Sequence, residues 1–234
     1  MGSRRQIERW ITEGRITVDG RLAQIGERLS GRERVFVNGR RVRLATARFG
    51  PRQSYLAYYK PSGELTSRGD PEQRETVFDA LPAPPRGRWI SVGRLDMMTS
   101  GLLLFTTDGE LAHRLMHPRY GLEREYAVRL LGEPSAEQLD QLRQGVELED
   151  GPAKAESVEM RGGTGTNVWC HVVVREGRNR EVRRLFEAVG LVVSRLIRVR
   201  YGPIALGDMR RGDSRRLTPA EVAALYRAVG LPRV

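Results

Sequence analysis

Between Val92 and Gly109 the chain reads Val-Gly-Arg-Leu-Asp-Met-Met-Thr-Ser-Gly-Leu-Leu-Leu-Phe-Thr-Thr-Asp-Gly. One carboxylate, Asp96, sits among Leu95, Met97 and Met98, with Gly93 and Gly101 on either side and the unbroken apolar run Leu102 to Phe105 behind it. Such a run without polar alternation reads as a buried strand, which would hold the preceding loop rigid. Burying a carboxylate is costly unless it is paired, so the segment needs a compensating cation, and Arg94 is the nearest candidate in sequence. On residue type alone, Asp96 reads first as a turn former that bonds its own backbone.

What such a carboxylate would act on is suggested by charge. The 234 residues are 39% apolar, enough for a real core, and carry 40 Lys and Arg against 29 Asp and Glu, a net charge of +11. No run of like charge confines the excess to a tail, so a basic surface is spread over a folded chain, which points to polyanions and first to nucleic acid. The single cysteine, Cys170, excludes an internal disulfide framework and suits a reducing compartment, so the cytoplasm is expected. No stretch reaches the roughly 18 apolar residues of a membrane span, and residues 1–5 lead into an amphipathic segment rather than a secretory core.

In chain order, a helix is expected over residues 3–13, with Ser3 as cap and Ile7, Trp10 and Ile11 on one face, ending at Gly14. Short strands follow at Ile16-Thr17-Val18, stopped by Asp19-Gly20, and at Val35-Phe36-Val37, whose Asn38-Gly39 is a type I′ hairpin signal leading into residues 41–44. Residues 48–54 read as a linker, and an aromatic strand, Tyr55 to Tyr59, opens a second domain. Strands are then expected at residues 89–92, 125–131, 153–160, 168–175 and 192–201. Helices are expected after Asp108, after Ser135, after Asn179 and after Thr218, the last with Pro219 and Glu221 completing its start. The interleaving lacks strict βαβ regularity, so the fold class is α+β with a mixed, mainly antiparallel sheet.

Most catalytic constellations are poorly supported. His113 and His117 lie four apart, but the only other histidine is His171 and no zincin pattern surrounds them, so no metal site is expected. Neither Ser100 nor Cys170 has a base in a convincing context, and no second carboxylate matches Asp96. Gly162-Gly163-Thr164-Gly165 leads into a strand and reads as a flexible hairpin rather than a phosphate loop. What remains is Asp96, a basic helix with Arg180, Arg183 and Arg184, and Tyr126, whose ring at a strand start either stacks on a base or is an ordinary sheet tyrosine.

Two resemblances extend this reading. Gly2 to Glu8 with Gly14 to Gly20 resembles the S4-like RNA-binding module, whose members carry a further helix before Ser3-Arg4-Arg5; residues 1–47 are therefore expected to be an S4-like module lacking its first helix. Gly93 to Asp96, Thr99 to Leu104 and Glu176 to Arg184 resemble the two signature motifs of the RsuA and RluB group of ribosomal RNA pseudouridine synthases. Tyr58 to Leu65, Leu115 to Pro118, Glu123 to Tyr126 and Ser194 to Gly202 extend the match across the chain and look closest to the group's large-subunit branch.

The resemblance implies a catalytic domain over residues 55–234 that isomerises uridine to pseudouridine without cofactor or metal. In it, Asp96 matches the catalytic aspartate, which attacks ribose C1′, assists departure of uracil, or adds to base C6. Tyr126 matches the residue that stacks on the flipped uracil, and Arg183 the basic residue that ion-pairs with the aspartate and fixes its direction. The implied substrate is 23S rRNA at a stem-loop of the peptidyl-transferase region, bound by a monomer. Arg4, Arg5, Arg15, Lys60, Arg94, Arg178, Arg180, Arg184, Arg195 and Arg198 are the expected RNA contacts. The position of Met98 is commonly polar in the family. The rival readings are a non-catalytic RNA-binding assembly factor and a synthase acting on another rRNA site.

Overall fold

The computed structural model describes residues 4–27, 29, 33–42, 53–70, 72–165 and 167–232, and the chain divides into two compact units, Met1–Pro51 and Arg52–Val234. In the first, helix α1 (Arg4–Thr12) is followed by strands β1 (Ile16–Val18), β2 (Arg21–Leu22), β3 (Val35–Val37) and β4 (Arg40–Val42). The four strands form one antiparallel sheet in the order β2-β1-β3-β4. Both hairpins turn through residues of positive φ, Asp19-Gly20 at 49° and 87° and Asn38-Gly39 at 51° and 72°, as type I′ geometry requires. Ile16, Val18 and Val35 form a small core against Ile7, Trp10 and Ile11, so the amphipathic spacing of α1 is used as expected. Residues 43–47 and most of the expected linker, 48–52, lie outside the described residues.

The second unit opens with β5 (Tyr55–Lys60), α2 (Val77–Ala80), β6 (Ile90–Val92), β7 (Ser100–Thr106) and α3 (Gly109–Met116). It continues with β8 (Arg124–Leu131), α4 (Ala136–Gln144), β9 (Val146–Leu148), β10 (Gly151–Ala153), β11 (Ser157–Gly162) and β12 (Val168–Val174). Helix α5 (Glu181–Ala188), β13 (Val192–Tyr201), β14 (Ile204–Ala205), β15 (Ser214–Arg216) and α6 (Pro219–Ala228) complete it. The large sheet runs β11-β12-β8-β13-β7-β5-β15, with β14 on β13 and β6 on β7. Its β13–β7 pair is parallel and its other pairs are antiparallel, the mixed sheet expected from the sequence.

Every residue of β7 is buried. Leu102 and Leu104 pack with Leu111, Leu115, Val222 and Leu225 of α3 and α6, whereas Leu103 and Phe105 pack on the other face with Leu56, Tyr58, Trp89 and Leu95. Both faces of the strand are covered, which is why its sequence shows no polar alternation. At its start, a Cβ on Gly101 would stand 2.3 Å from the carbonyl oxygen of Arg198, so only glycine lets β7 approach β13 this closely.

The expected strand over residues 153–160 is two elements. Glu149-Asp150 closes a β9–β10 hairpin, with Gly151 of β10 at φ 103°, and β11 starts only after the Ala155 amide has bonded the Leu142 carbonyl. The edge strand β15 was also not anticipated, because Ser-Arg-Arg carries none of the β-branched or aromatic residues that mark a strand.

Candidate functional site

Asp96 lies in a turn between β6 and β7, closed by the Thr99 amide donating to its carbonyl at 3.0 Å, so the turn reading of its sequence holds for its backbone. Five consecutive carbonyls of this turn accept hydrogen bonds. Leu95 O accepts from the Thr66 hydroxyl at 3.0 Å, Met97 O from the Gly63 amide at 2.9 Å, and Met98 O from the Arg183 guanidinium at 3.2 Å. The Lys60 ammonium, at the end of β5, donates to Thr99 O at 2.9 Å, Asp96 O at 3.2 Å and Met97 O at 3.4 Å, and to Pro61 O at 2.9 Å. Lys60 is completely buried; burial draws its pKa down to about 8 against the favourable charges of Glu64 and Asp96. It therefore clamps the turn from inside, and the phosphate contact expected of it is corrected.

Arg183, nearly buried on α5, comes to the same turn from the opposite side. Its two terminal nitrogens serve Met98 O and, at 2.9 Å, Val193 O, while its Nε has no partner among the described residues. Burial and the neighbouring Arg180 charge lower its pKa, opposed by Asp96 and Glu187, so the Asp96 charge is felt. The expected Arg183–Asp96 ion pair does not form: among the described residues Asp96 has no salt bridge, and the guanidinium holds the backbone two residues on. Arg94, the nearest cation in sequence, is exposed.

The half-buried Asp96 carboxylate and half-buried Tyr126 line one cleft of about 900 Å³, together with Arg94, Arg124, Arg178, Arg180, Glu181 and Arg198. The sheet explains the convergence. Tyr126 on β8 is the register partner of Arg198 on β13, which in turn is paired with Gly101 on β7. Directly opposed residues project to the same face, so Tyr126 and Arg198 stand side by side next to the strand that carries the Asp96 turn. Arg198 is 2% exposed; its Nε donates to Leu102 O at 2.7 Å and its guanidinium lies 5.1 Å from the Tyr201 ring centroid. It stiffens the floor of the cleft, which corrects its expected role at the surface.

Of the other expected RNA contacts in the second unit, two more are engaged within the protein. Arg178 donates to Gly151 O and Pro152 O, and Arg184 holds Asp150 with two bonds of 2.8 and 2.9 Å, so both tie α5 and its approach loop to the β9–β10 hairpin. Arg94, Arg180 and Arg195 are exposed, Arg180 at φ 49° on the rim of the cleft. In the first unit Arg5 is exposed, Arg15 bonds Asn38 at 2.8 Å and Glu13 at 3.0 Å beside the Trp10 ring, and the Arg4 side chain lies outside the described residues.

Two cleft residues were not anticipated. Arg124 is buried, donating to Leu122 O, Arg175 O and the Tyr201 hydroxyl, and packs against Gly177. Glu181, at the start of α5, is buried with its pKa raised by burial and by Glu176. Neither shows a sequence signal, since both sit in charged runs that read as solvated. Among the described residues no three His, Cys, Asp or Glu side chains gather as a metal set; His171 bonds Glu125 at 2.7 Å, as does Arg200 at 2.8 Å.

Comparison with known proteins decides what this site belongs to. Residues 54–188 match the family model for RNA pseudouridylate synthase, and residues 1–35 match the S4 domain. The chain belongs to the RNA pseudouridylate synthase family. It is 52% identical over 236 residues to the ribosomal large subunit pseudouridine synthase B of Pseudomonas aeruginosa, spanning 100% of this chain and 61% of that protein. It is 52% identical over 238 residues to the Escherichia coli K12 protein of the same name, spanning 99% of this chain and 80% of that one. A solved pseudouridylate synthase shares the fold with a TM-score of 0.67 at 26% identity, covering 95% of this chain and 94% of its own. Residues 54–188 of this family match hold Asp96, Tyr126 and Arg183.

Proposed function

We propose that this chain isomerises uridine to pseudouridine in 23S rRNA, at a stem-loop of the peptidyl-transferase region, with Asp96 as the reacting carboxylate. The observation that carries the proposal is that Asp96 and Tyr126 line one cleft whose Asp96 turn has every carbonyl from Leu95 to Thr99 bonded. The reaction breaks the N1–C1′ bond and joins C5 to C1′; the proton leaving C5 is balanced by one gained at N1, so no atom or electron is supplied from outside. A carboxylate able to attack C1′, support uracil departure, or add to C6 meets the chemical need, provided it cannot drift. Preorganisation of this kind contributes to rate because the group need not be ordered during the reaction.

Tyr126 offers its ring to the uracil in the cleft that Asp96 also lines, and the target base leaves its stack to enter. Arg183 acts by pinning the turn and by its charge beside Asp96, rather than by a direct ion pair. Arg94, Arg180 and Arg195 are the phosphate contacts of the second unit, and residues 1–47 grip RNA as an S4-like module joined through 48–54 to the catalytic domain 55–234. The protein works as a cytoplasmic monomer without metal.

Release of tritium from 23S rRNA carrying 5-tritiated uridine tests the activity. Release by the protein, with pseudouridine mapped at the same position, is expected; absence of release from intact rRNA and from its fragments would leave RNA binding alone, the role of an assembly factor.

A further inference from the structure

Two side chains of the Asp96 turn take no part in holding it. Met97 is 38% exposed and Met98 60%, while their main-chain oxygens are held by Gly63, Lys60 and Arg183. An isolated exposed apolar residue needs no explanation. Here two adjacent ones stand on an anchored backbone beside the carboxylate of the cleft, and the exposed Arg94 lies on the same turn. A third, Met116, lines the cleft and is 37% exposed.

We propose that Met97 and Met98 are an apolar wedge that enters the base stack of structured RNA and fills the space left when the target uridine turns into the cleft. This rests on the reading of Asp96 as acting on a flipped uridine. Removing a base from its stack exposes the faces of its two neighbours, and the cost is lowered when an apolar side chain takes its place; methionine is among the residues that do so in nucleic-acid kinks. An unbranched, polarisable thioether conforms to aromatic faces of differing shape, so the wedge needs no particular neighbouring base. The anchored turn supplies the stiffness that two flexible side chains lack. The occupant is a nucleobase because the net charge is +11 and the exposed Arg94 on the same turn and Arg180 on the cleft favour a phosphate backbone.

The test compares tritium release from two substrates of one sequence, a 23S rRNA stem-loop fragment and a single-stranded oligonucleotide, both carrying 5-tritiated uridine. Replacing both residues, Met97→Ala with Met98→Ala, is expected to lower the ratio of kcat/KM on the stem-loop to that on the single strand about tenfold, in line with the loss of one stacked contact. Met98→Leu is expected to restore most of the ratio. A ratio unchanged by the double substitution overturns the wedge while leaving the activity intact. Release from neither RNA by the unaltered protein overturns the functional reading and the wedge with it. A merely structural defect lowers both rates together and leaves the ratio constant, which also counts against the wedge.

Discussion

The ammonium nitrogen of Lys60 lies 3.2 Å from the main-chain oxygen of Asp96, although the two residues are 36 positions apart. A buried cation surrounded by carbonyls is a costly way to close a turn, so its retention beside the proposed reacting group ties the stability of the loop to the chemistry. Lys60→Met removes the buried charge but takes the Lys60 donor from the carbonyls of Pro61 and Thr99, while Asp96 O keeps the Thr99 amide and Met97 O the Gly63 amide. The two effects on stability oppose one another, whereas the loss of positioning does not. The expected result is a fall in kcat of about 10²-fold with a small change in thermal midpoint. Steady-state kinetics beside thermal unfolding would check it, and equal damage to both would reduce Lys60 to a structural part.

The same residue predicts a dependence on pH. Its folded-state pKa of about 8 is below the ordinary lysine value of 10.5. Between these values the folded chain binds fewer protons than the unfolded one, so this group makes the fold more stable as pH rises through the window, and its burial cost is fully present below about 8. Activity should run the other way. A neutral amine has two N–H groups for four carbonyls, so kcat is expected to decline above about pH 8 without loss of the folded state, and Lys60→Met should lack this decline. A flat kcat profile through pH 9.5 in the unaltered protein, about 1.5 units above the lysine's value, would contradict the clamp.

Arg183 serves two carbonyls, Met98 O and Val193 O, with two nitrogens of one planar group. A lysine has the charge without the fork, so Arg183→Lys is expected to lower kcat by about 10- to 100-fold while KM moves little. Full activity in Arg183→Lys would mean that charge alone suffices.

Salt dependence separates the arginines that meet RNA from those that hold the protein together. Arg94 is exposed, while Arg184 is bonded twice to Asp150. Arg94→Ala is expected to reduce the slope of log affinity against log salt by about 1, and Arg184→Ala to leave the slope alone while costing stability. Filter binding over a salt series would show the difference, and an equal slope change in both would overturn it.

Gly101→Ala places a methyl group 2.3 Å from the Arg198 carbonyl at a residue whose φ is 109°. Both the clash and the backbone strain act in the centre of the sheet, so destabilisation of about 3 kcal/mol or more is expected in denaturant unfolding.

The fold was legible where one signal had one cause. The strand expected over residues 192–201 is β13, and capping boxes marked the starts of α4 and α6, because Ser135 with Gln138 and Thr218 with Glu221 are local devices that work independently of tertiary context. The β9–β10 hairpin was not expected: it lies almost entirely before the strand signal that begins at Ala153, and its turn region is bonded from afar by Arg178 and Arg184. In the site, Asp96, Tyr126 and Arg183 were named through the family resemblance and not by their spacing, while charge misled at Lys60 and Arg198. Both are long cations, and only the three-dimensional arrangement shows that both are buried, with the Lys60 ammonium and the Arg198 Nε donating to backbone carbonyls.

The central claim is that the anchored Asp96 turn carries the chemistry and leaves RNA affinity to other groups. Asp96→Asn changes one atom of the side chain and keeps every main-chain bond of the turn, so one preparation can be measured both for tritium release from 5-tritiated uridine in 23S rRNA and for binding of that RNA. The account predicts no detectable release with affinity within about threefold of the unaltered protein, because phosphate contacts dominate binding. Retained release, or loss of binding in parallel with activity, would contradict it.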